Sequence, residues 1–220
     1  MSERSKVAFV TVGQSPRTDI VPEMLGWLPP DLGCAEFGVL DGLDHDGVAK
    51  LAPRSGEPSL CTRLADGSEV ITGKHQTAAR LHDLIARLDT QGFAAIVLLC
   101  SGRFEGLSAH TMLVEAQPVV DATVDALTAS RHLGVVLPLE RQIAESHVGE
   151  TQGRRVSHTH YSPYARETPG RAAADVSGCD LIVMHCMGYD DAMRAEMARL
   201  TGKPVLLPRR IVASAVDQLI

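Results

Sequence analysis

Two cysteines of this 220-residue sequence stand at the same place in two segments that are near copies of each other. Residues 92–103 read GFAAIVLLCSGR and residues 178–189 read GCDLIVMHCMGY, and they align without a gap at Gly, Ile, Val, Cys and Gly. Cys100 and Cys186 each follow a short apolar run typical of a buried strand. Because a parallel α/β sheet binds its ligands at the carboxyl ends of its strands, the repeat predicts that both thiols face one cleft.

Thiols in such positions are suited to proton transfer. A free thiol has a pKa of about 8.5, and the N–H groups of a following turn or helix lower it. We therefore expect Cys100 and Cys186 to form thiolates near neutral pH and to act as acid and base on opposite faces of one small substrate. The alternative is that both are ordinary buried cysteines. The remaining cysteines have no such repeat and are interpreted as structural: Cys34, Cys61 and Cys179.

Residues that could bind the anionic part of a substrate lie next to the two cysteines and in the loop after the first predicted strand. In the GQSPR loop at 13–17, Arg17 can hold a carboxylate through two parallel hydrogen bonds. A polar loop whose arginine only caps a neighbour or is solvated fits this pattern equally well. The SPY segment at 162–164 follows another predicted strand and is expected to line the cleft, although turn chemistry explains Ser-Pro as readily. The predicted substrate-binding residues are Gln14, Ser15, Arg17, Ser101, Gly102, Ser162, Tyr164, Met187 and Gly188.

A zinc site built from His158, His160, His185 and Cys186 is disfavoured. Alternate residues of one strand often share a face without binding metal, and no typical ligand spacing accompanies these histidines. His185 directly precedes Cys186, so its side chain points to the opposite side of a regular strand. We interpret His185 as a neighbour of the thiol rather than as its base, and we predict no metal site.

Strands alternate with helices along most of the sequence. Apolar and β-branched runs predict strands at 6–12, 34–40, 94–99, 131–137, 155–160, 180–185 and 205–207. Apolar residues at helical spacing predict helices at 19–28, 76–89, 118–130, 139–149, 169–176, 190–200 and 209–220. Residues 41–75 interrupt the alternation, and Asp66-Gly67 predicts a β-hairpin near residues 60–72.

This order of elements predicts an α/β fold with right-handed crossovers and mostly parallel strands flanked by helices. The repeat indicates two pseudosymmetric lobes. We assign residues 1–115 and 205–220 to the first lobe and residues 116–204 to the second, with the active site between them.

The amino-acid composition argues against some kinds of binding partner. The 21 basic and 27 acidic residues give a net charge of −6 with histidine neutral, and the basic residues are dispersed, which argues against nucleic acid and anionic membranes as partners. No apolar run approaches the roughly 20 residues that cross a bilayer. The five cysteines form no CxxC pair, and the amino terminus lacks the apolar stretch of a secretory signal. We therefore expect a reduced, cytoplasmic protein.

Seven motifs give the sequence a resemblance to a known family. These are GQSPR at 13–17, LDGLD at 40–44, CTRLADG at 61–67, LLCSG at 98–102, PLERQ at 138–142, SPY at 162–164 and CMGYDDAMR at 186–194. Through them the sequence resembles the AroM family over nearly its whole length. More remotely it is similar to the aspartate/glutamate racemase superfamily, which includes hydantoin racemase, maleate isomerase and arylmalonate decarboxylase.

The resemblance implies two pseudosymmetric α/β lobes, cysteines at the ends of matched strands, catalysis without a cofactor, and a homodimer. The function we expect is a racemase or isomerase that moves a proton at a carbon next to the carboxylate of a small substrate, with Cys100 and Cys186 as catalytic residues. Two alternatives remain open at this point. One is a cysteine-dependent decarboxylase or cis-trans isomerase on the same scaffold, and the other is a non-catalytic protein that binds a small carboxylate.

Overall fold

The computed structural model of the protein describes residues 6–128, 132–146, 148, 154–165 and 168–220. The first half contains, in chain order, β1 (Lys6–Thr11), α1 (Val21–Leu25), β2 (Gly33–Gly38), α2 (His45–Ala49), β3 (Ser59–Arg63), β4 (Glu69–Gly73), α3 (Lys74–Leu88), β5 (Ala95–Leu98), β6 (Met112–Glu115) and α4 (Ala116–Thr128). The second half contains β7 (Leu133–Leu137), a 3-10 turn (Glu140–Ile143), β8 (Val156–His160), α5 (Gly170–Val176), β9 (Leu181–Met184), α6 (Asp191–Thr201), β10 (Val205–Leu206) and α7 (Pro208–Asp217).

The two halves contain sheets of the same topology. The first sheet has the order β2-β1-β5-β6 and the second has the order β8-β7-β9-β10, and the strands within each are parallel. If the strands of each sheet are counted in chain order, the first strand lies between the second and the third, and the fourth strand is at the edge. The predicted α/β fold with two pseudosymmetric parallel sheets is therefore confirmed, and β5 corresponds to β9.

The central strands are buried on both faces, which explains their continuous apolar sequences. All residues of β5 (AIVL), β7 (LGVVL) and β9 (LIVM) are buried, as are five of the six residues of β1. One apolar cluster includes Val7 and Phe9 of β1 together with Val135 of β7 and Val212 of α7. Because that cluster draws on both halves, the two sheets share a core, and α7 packs against α4 and α1.

The predicted hairpin is present as β3 and β4, which pair antiparallel. Its turn begins at Asp66, whose side chain accepts hydrogen bonds from the backbone N–H and the hydroxyl of Ser68 at 2.8 and 2.6 Å. Gly67 adopts a φ of 90°, a conformation that residues with a Cβ rarely take. Asp66-Gly67 therefore forms the hairpin turn that the sequence predicts.

The hairpin also reaches the second half of the molecule. The backbone N–H of Ser59 donates to the Glu145 carboxylate at 3.1 Å, and the Gln142 side chain donates to the Ser59 carbonyl at 3.2 Å. On the other strand, Glu69 accepts a hydrogen bond of 2.6 Å from the Ser162 hydroxyl. The hairpin therefore belongs to the first half by sequence but is held by hydrogen bonds to the second.

Three sequence predictions differ from the structure. Among the described residues of the predicted helix at 139–149, only Glu140–Ile143 is helical, as a 3-10 turn, and side chains of this segment hydrogen-bond the hairpin instead. The strand β6 was not predicted, because its four residues lead directly into α4 without a turn residue between them. The strand β10, assigned above to the first lobe, pairs with β9 and so lies in the second sheet.

Some predictions fall partly outside the described residues. Residues 129–131, 147 and 149 belong to the predicted helices at 118–130 and 139–149 and to the predicted strand at 131–137, and they are not described. No helix within the described ranges has the length and apolar character needed to span a membrane.

Candidate active site

A cavity of about 530 Å³ lies at the carboxyl ends of the central strands of both sheets. Val12 and Cys100 line it at the ends of β1 and β5, and Leu137 and Cys186 line it at the ends of β7 and β9. The hairpin contributes residues 59–62. The cavity is therefore built from equivalent edges of the two sheets, and Cys100 and Cys186 both face it.

The two thiols have the same local geometry. Each strand ends two residues before its cysteine, and the glycine two residues after the cysteine donates its N–H to the sulfur. The distance from Gly102 N to Cys100 Sγ is 3.3 Å, and the distance from Gly188 N to Cys186 Sγ is also 3.3 Å. The duplication that is visible in the sequence therefore extends to the hydrogen bond at each sulfur.

The residue between each cysteine and its glycine presents a free backbone N–H. Among the described residues, neither the N–H of Ser101 nor that of Met187 has a hydrogen-bond acceptor. Met187 is buried, and both residues line the cavity. Because a buried N–H group is normally paired, these two groups are available to an anionic ligand.

Burial disfavours ionisation of both thiols. It raises the pKa of Cys100 to about 12, although the Gly102 N–H lowers that pKa in part and a negative charge on Cys186 raises it further. Burial likewise raises the pKa of Cys186, and the Gly188 N–H again offsets part of the effect. These shifts run against the prediction of thiolates near neutral pH, because desolvation exceeds the stabilisation by the turn.

Arg17 lines the cavity, but its guanidinium is already engaged. Its Nε and one terminal nitrogen each donate to the Asp19 carboxylate at 2.8 Å, and further bonds of 3.0 Å reach the Thr11 and Tyr164 hydroxyls. The residue is only 3% exposed. The paired donors that could have held a substrate carboxylate are therefore bound to Asp19.

Gln14 and Ser15 do not line the cavity. The Gln14 amide donates to the Leu43 carbonyl at 2.8 Å and accepts from the Ala65 N–H at 2.9 Å. The Ser15 N–H and hydroxyl both donate to the Asp41 carboxylate, at 2.8 and 2.7 Å. These side chains connect three loops, which gives the GQSPR, LDGLD and CTRLADG motifs a shared structural role.

Of the other predicted substrate-binding residues, some line the cavity and others hold the lining residues in place. Gly102 and Tyr164 line the cavity, whereas Ser162 does not and instead donates to Glu69 and accepts the N–H of Tyr164 at 3.1 Å. Gly188 lies behind the lining, where a Cβ would come within 2.5 Å of the Tyr164 hydroxyl oxygen. A glycine is therefore required at 188 for Tyr164 to reach the turn that contains Cys186.

A polar cluster on α4 was not predicted. The Asp121 carboxylate accepts from the Gln117 amide at 2.7 Å and lies 3.6 Å from Nε2 of His185, while the Ser101 hydroxyl donates to the His185 carbonyl at 3.2 Å. Burial raises the pKa of Asp121, but hydrogen bonds from His185 and Gln117 and the charge of Arg103 bring it below its usual range. His185 lines the cavity rather than pointing away from it, because β9 ends one residue earlier.

Two further lining residues were missed or assigned another role. Lys74, the first residue of α3, is half-buried and has no carboxylate partner among the described residues. Cys61, interpreted above as structural, also faces the cavity from β3, and burial raises its pKa together with the proximity of Cys186. Only tertiary structure brings these residues to the site, since the hairpin and α3 lie outside the repeat.

A family model described as the AroM protein matches residues 7–220. The chain belongs to the AroM family. No curated protein matches this AroM chain.

Solved structures of other proteins show the same fold. Arylmalonate decarboxylase in a liganded form has a TM-score of 0.62 and 15% identity, covering 98% of the AroM chain and 92% of its own. Aspartate racemase from Picrophilus torridus has a TM-score of 0.63 and 9% identity, covering 97% and 93%. Maleate isomerase from Pseudomonas putida S16 has a TM-score of 0.60 and 12% identity, covering 98% and 92%. At these identities the likeness establishes that the AroM chain has the aspartate/glutamate racemase fold.

The histidines near the thiols do not assemble into a metal-ligand cluster. Within the described part of the AroM chain, no group of three or more His, Cys, Asp or Glu side chains is placed to hold a metal ion.

Proposed function

We propose that this AroM protein is a cofactor-independent racemase or isomerase that uses Cys100 and Cys186 to transfer protons at a carbon next to a carboxylate. The observation that carries the proposal is that two thiols at equivalent strand ends, each with the same glycine N–H bond, line one cavity. The proteins that share its fold include racemases, an isomerase and a decarboxylase, which supports this class of reaction.

The reaction needs one thiolate and one thiol at the same time. The thiolate removes the proton from the substrate carbon, so that a C–H bond breaks and an S–H bond forms while the electron pair moves into the adjacent carboxylate. The thiol then gives its proton to the opposite face of that carbon and becomes the thiolate. Because charge on Cys186 raises the pKa of Cys100, ionisation of one thiol disfavours ionisation of the other. The singly ionised pair is the state that this reaction requires.

The carboxylate of the substrate has three donors available in the cavity. These are the free N–H groups of Ser101 and Met187, one beside each thiol, and the ammonium of Lys74. The Lys74 charge also lowers the pKa of Cys100. Donors aimed at the carboxylate stabilise the negative charge that develops when the neighbouring carbon loses its proton.

The volume of the cavity fits a small ligand. At about 530 Å³ it lies in the ordinary range of about 300–1,000 Å³ for small-molecule sites. The His185–Asp121 pair and Gln117 line it alongside the thiols. A substrate that carries a polar substituent on the reacting carbon would have hydrogen-bonding partners there.

Hydrogen exchange with solvent tests the proposal even when the product is unidentified. A panel of small carboxylates with a hydrogen on the α-carbon is incubated with the protein in D₂O and followed by NMR. For a substrate found in this way, Cys100→Ala and Cys186→Ala should each abolish deuterium incorporation, because each removes one proton carrier. Cys34→Ala is the matched control, since Cys34 lies on β2 outside the cavity and should leave the rate unchanged. Full exchange in either active-site variant would contradict the two-thiol mechanism.

A further inference from the structure

The two thiols share their turn geometry but not their other neighbours. Cys186 is approached by Tyr164, from the segment after β8, and by Arg17, from the loop after β1. The Arg17 charge acts on Cys100 as well, but there it is joined by the charge of Lys74 from α3 rather than by a phenol. This difference has a chemical consequence, because a phenol can donate a hydrogen bond directly to a sulfur, whereas an ammonium without such a bond acts through its charge.

The Tyr164 hydroxyl is oriented by Arg17. The guanidinium donates to the phenol oxygen at 3.0 Å and also lies over the ring, with 5.7 Å between its carbon and the ring centroid. Because the phenol oxygen accepts this bond, its own hydrogen is free to point elsewhere. Arg17 cannot move away, since it is buried and held by Asp19 and Thr11.

The Tyr164 hydroxyl lies beside the turn that contains Cys186. The missing Cβ of Gly188 would lie 2.5 Å from the Tyr164 oxygen, and the N–H of the same glycine donates to Cys186 Sγ. Burial raises the pKa of Cys186, while the Gly188 N–H, the charges of Arg17 and Arg209 and the Tyr164 hydroxyl all act in the opposite direction. Burial also raises the pKa of Tyr164 well above its usual value, so the phenol stays protonated and remains a donor.

The other charged and titratable groups around Cys186 are balanced or neutral. Asp19 pairs with Arg17, and Glu23 pairs with Arg209 at 2.7 Å, so each buried cation is compensated. The other titratable neighbours include Cys61 on β3, Cys100 after β5, Tyr189 on the same turn, and His185, which directly precedes Cys186 and lies 3.6 Å from the Asp121 carboxylate. The phenol is therefore the feature that separates the surroundings of Cys186 from those of Cys100.

We propose that Tyr164, oriented by Arg17, is a positioning residue that makes Cys186 the sulfur that carries the negative charge and leaves Cys100 as the thiol that donates a proton. The consequence for catalysis rests on the proposed function, whereas the charge difference between the sulfurs does not. In the first half-reaction the substrate C–H bond breaks toward Cys186 Sγ and the Cys100 S–H bond breaks toward the opposite face. The pair is then reset when Cys186 loses its proton to solvent and Cys100 regains one.

The pH dependence of alkylation tests the proposal and needs no substrate. The protein is treated with iodoacetamide at pH 7 to 10.5, and modification of each cysteine is followed by mass spectrometry of its peptide. In the wild type, the rate at Cys186 should rise at a lower pH than the rate at Cys100. In Tyr164→Phe, modification of Cys186 at pH 8 should slow by about tenfold or more, as expected for the loss of one hydrogen bond to a charged group. Modification of Cys100 should not slow.

Lys74→Met is the matched variant for the other thiol. It should slow modification of Cys100 and leave the Cys186 profile in place, because the Lys74 charge acts on Cys100. A lower-pH profile for Cys100 than for Cys186, or an unchanged Cys186 profile in Tyr164→Phe, would overturn the assignment. If Tyr164→Phe does not fold, 3-fluorotyrosine at position 164 strengthens the donor and should move the Cys186 profile to lower pH, and no movement would also overturn it. Loss of deuterium exchange is measured separately, so the two proposals fail independently.

Discussion

The Lys74 ammonium is a cation of the cavity that no described carboxylate neutralises. Arg17, by contrast, is neutralised by Asp19, two residues further along the chain. An uncompensated, half-buried charge attracts an anion more strongly than one that is already paired. At the scale of single residues, Lys74 is therefore the side chain best placed to bind the carboxylate of the proposed substrate.

We expect Lys74→Met to raise the KM for a carboxylate substrate by about 5- to 50-fold, because it removes a charge-assisted contact that is present in the bound ground state. The measurement is the concentration dependence of solvent exchange for a substrate identified in the NMR screen. Lys50→Met is the control, since Lys50 is an exposed residue after α2. An unchanged KM in Lys74→Met would assign carboxylate binding to the backbone N–H groups alone.

Sequence alone could identify the two thiols but not most of their surroundings. Cys100 and Cys186 are recognisable because the repeat preserves both the strand and the following glycine. No sequence pattern identifies Lys74 and Asp121, because they reach the cavity only through the packing of α3 and α4. Asp19, the carboxylate partner of Arg17, is only two residues away in the sequence. Whether Arg17 binds Asp19 or a ligand, however, depends on the backbone conformation of the loop, which the sequence does not reveal.

The turn that contains each of the two cavity cysteines is the element that gives the candidate site its geometry. In the second half, this turn is held by Arg209, which is 1% exposed and donates to the Met187 and Gly188 carbonyls at 2.7 and 2.8 Å. Glu23 of α1 fixes Arg209 and also accepts the N–H of Asp191 at the start of α6. Three helices therefore converge on the turn that contains Cys186.

Gly188→Ala tests the role of that turn. Its Cβ would come within 2.5 Å of the Tyr164 hydroxyl and 2.8 Å of a Pro163 side-chain carbon, so Tyr164 must move away from the turn. We expect substrate exchange to fall by at least about tenfold, in line with the cost of displacing groups that position the reaction. Gly178→Ala is the control from the same repeat, because a Cβ at Gly178 meets no atom within 4 Å. Equal rates in the two variants would show that the approach of Tyr164 to the turn is unimportant.

Elements were predictable where local pattern and tertiary environment agree. The strands β1, β5, β7 and β9 are buried on both faces, so their apolar runs specify them directly. Residues 139–149 have a helical pattern, yet Gln142 and Glu145 hydrogen-bond the hairpin and the helix is limited to one 3-10 turn. Such contacts between distant segments override local preference and leave no trace in the pattern itself.

At the scale of the whole molecule, the two halves are joined by one apolar core. Residues of both sheets and of α7 form a single buried cluster, and Trp27 packs against it and against the cluster around α5 and α6. A core shared in this way cannot be lost from one half alone. We therefore expect the protein to unfold as one cooperative unit.

Val216→Ala in α7 should lower the free energy of unfolding by about 1–3 kcal/mol, because Val216 is fully buried in the shared core. Urea unfolding followed by Trp27 fluorescence and by far-ultraviolet circular dichroism should give coincident curves that shift together. Leu219→Ala is the control, since Leu219 is 46% exposed and its truncation should change stability by less than about 0.5 kcal/mol. Separate transitions for the two probes would indicate independent halves. The homodimer and the cytoplasmic location remain predictions from the sequence.

The matched strand order and matched glycine turns make each half resemble a subunit of a symmetric pair. In a true two-fold dimer both subunits have the same sequence, so the two thiols would be chemically identical. Joining the halves in one polypeptide removes that constraint. Tyr164 can then serve one sulfur while Lys74 serves the other, and a reaction with a preferred starting direction becomes accessible to a scaffold whose backbone is still nearly symmetric.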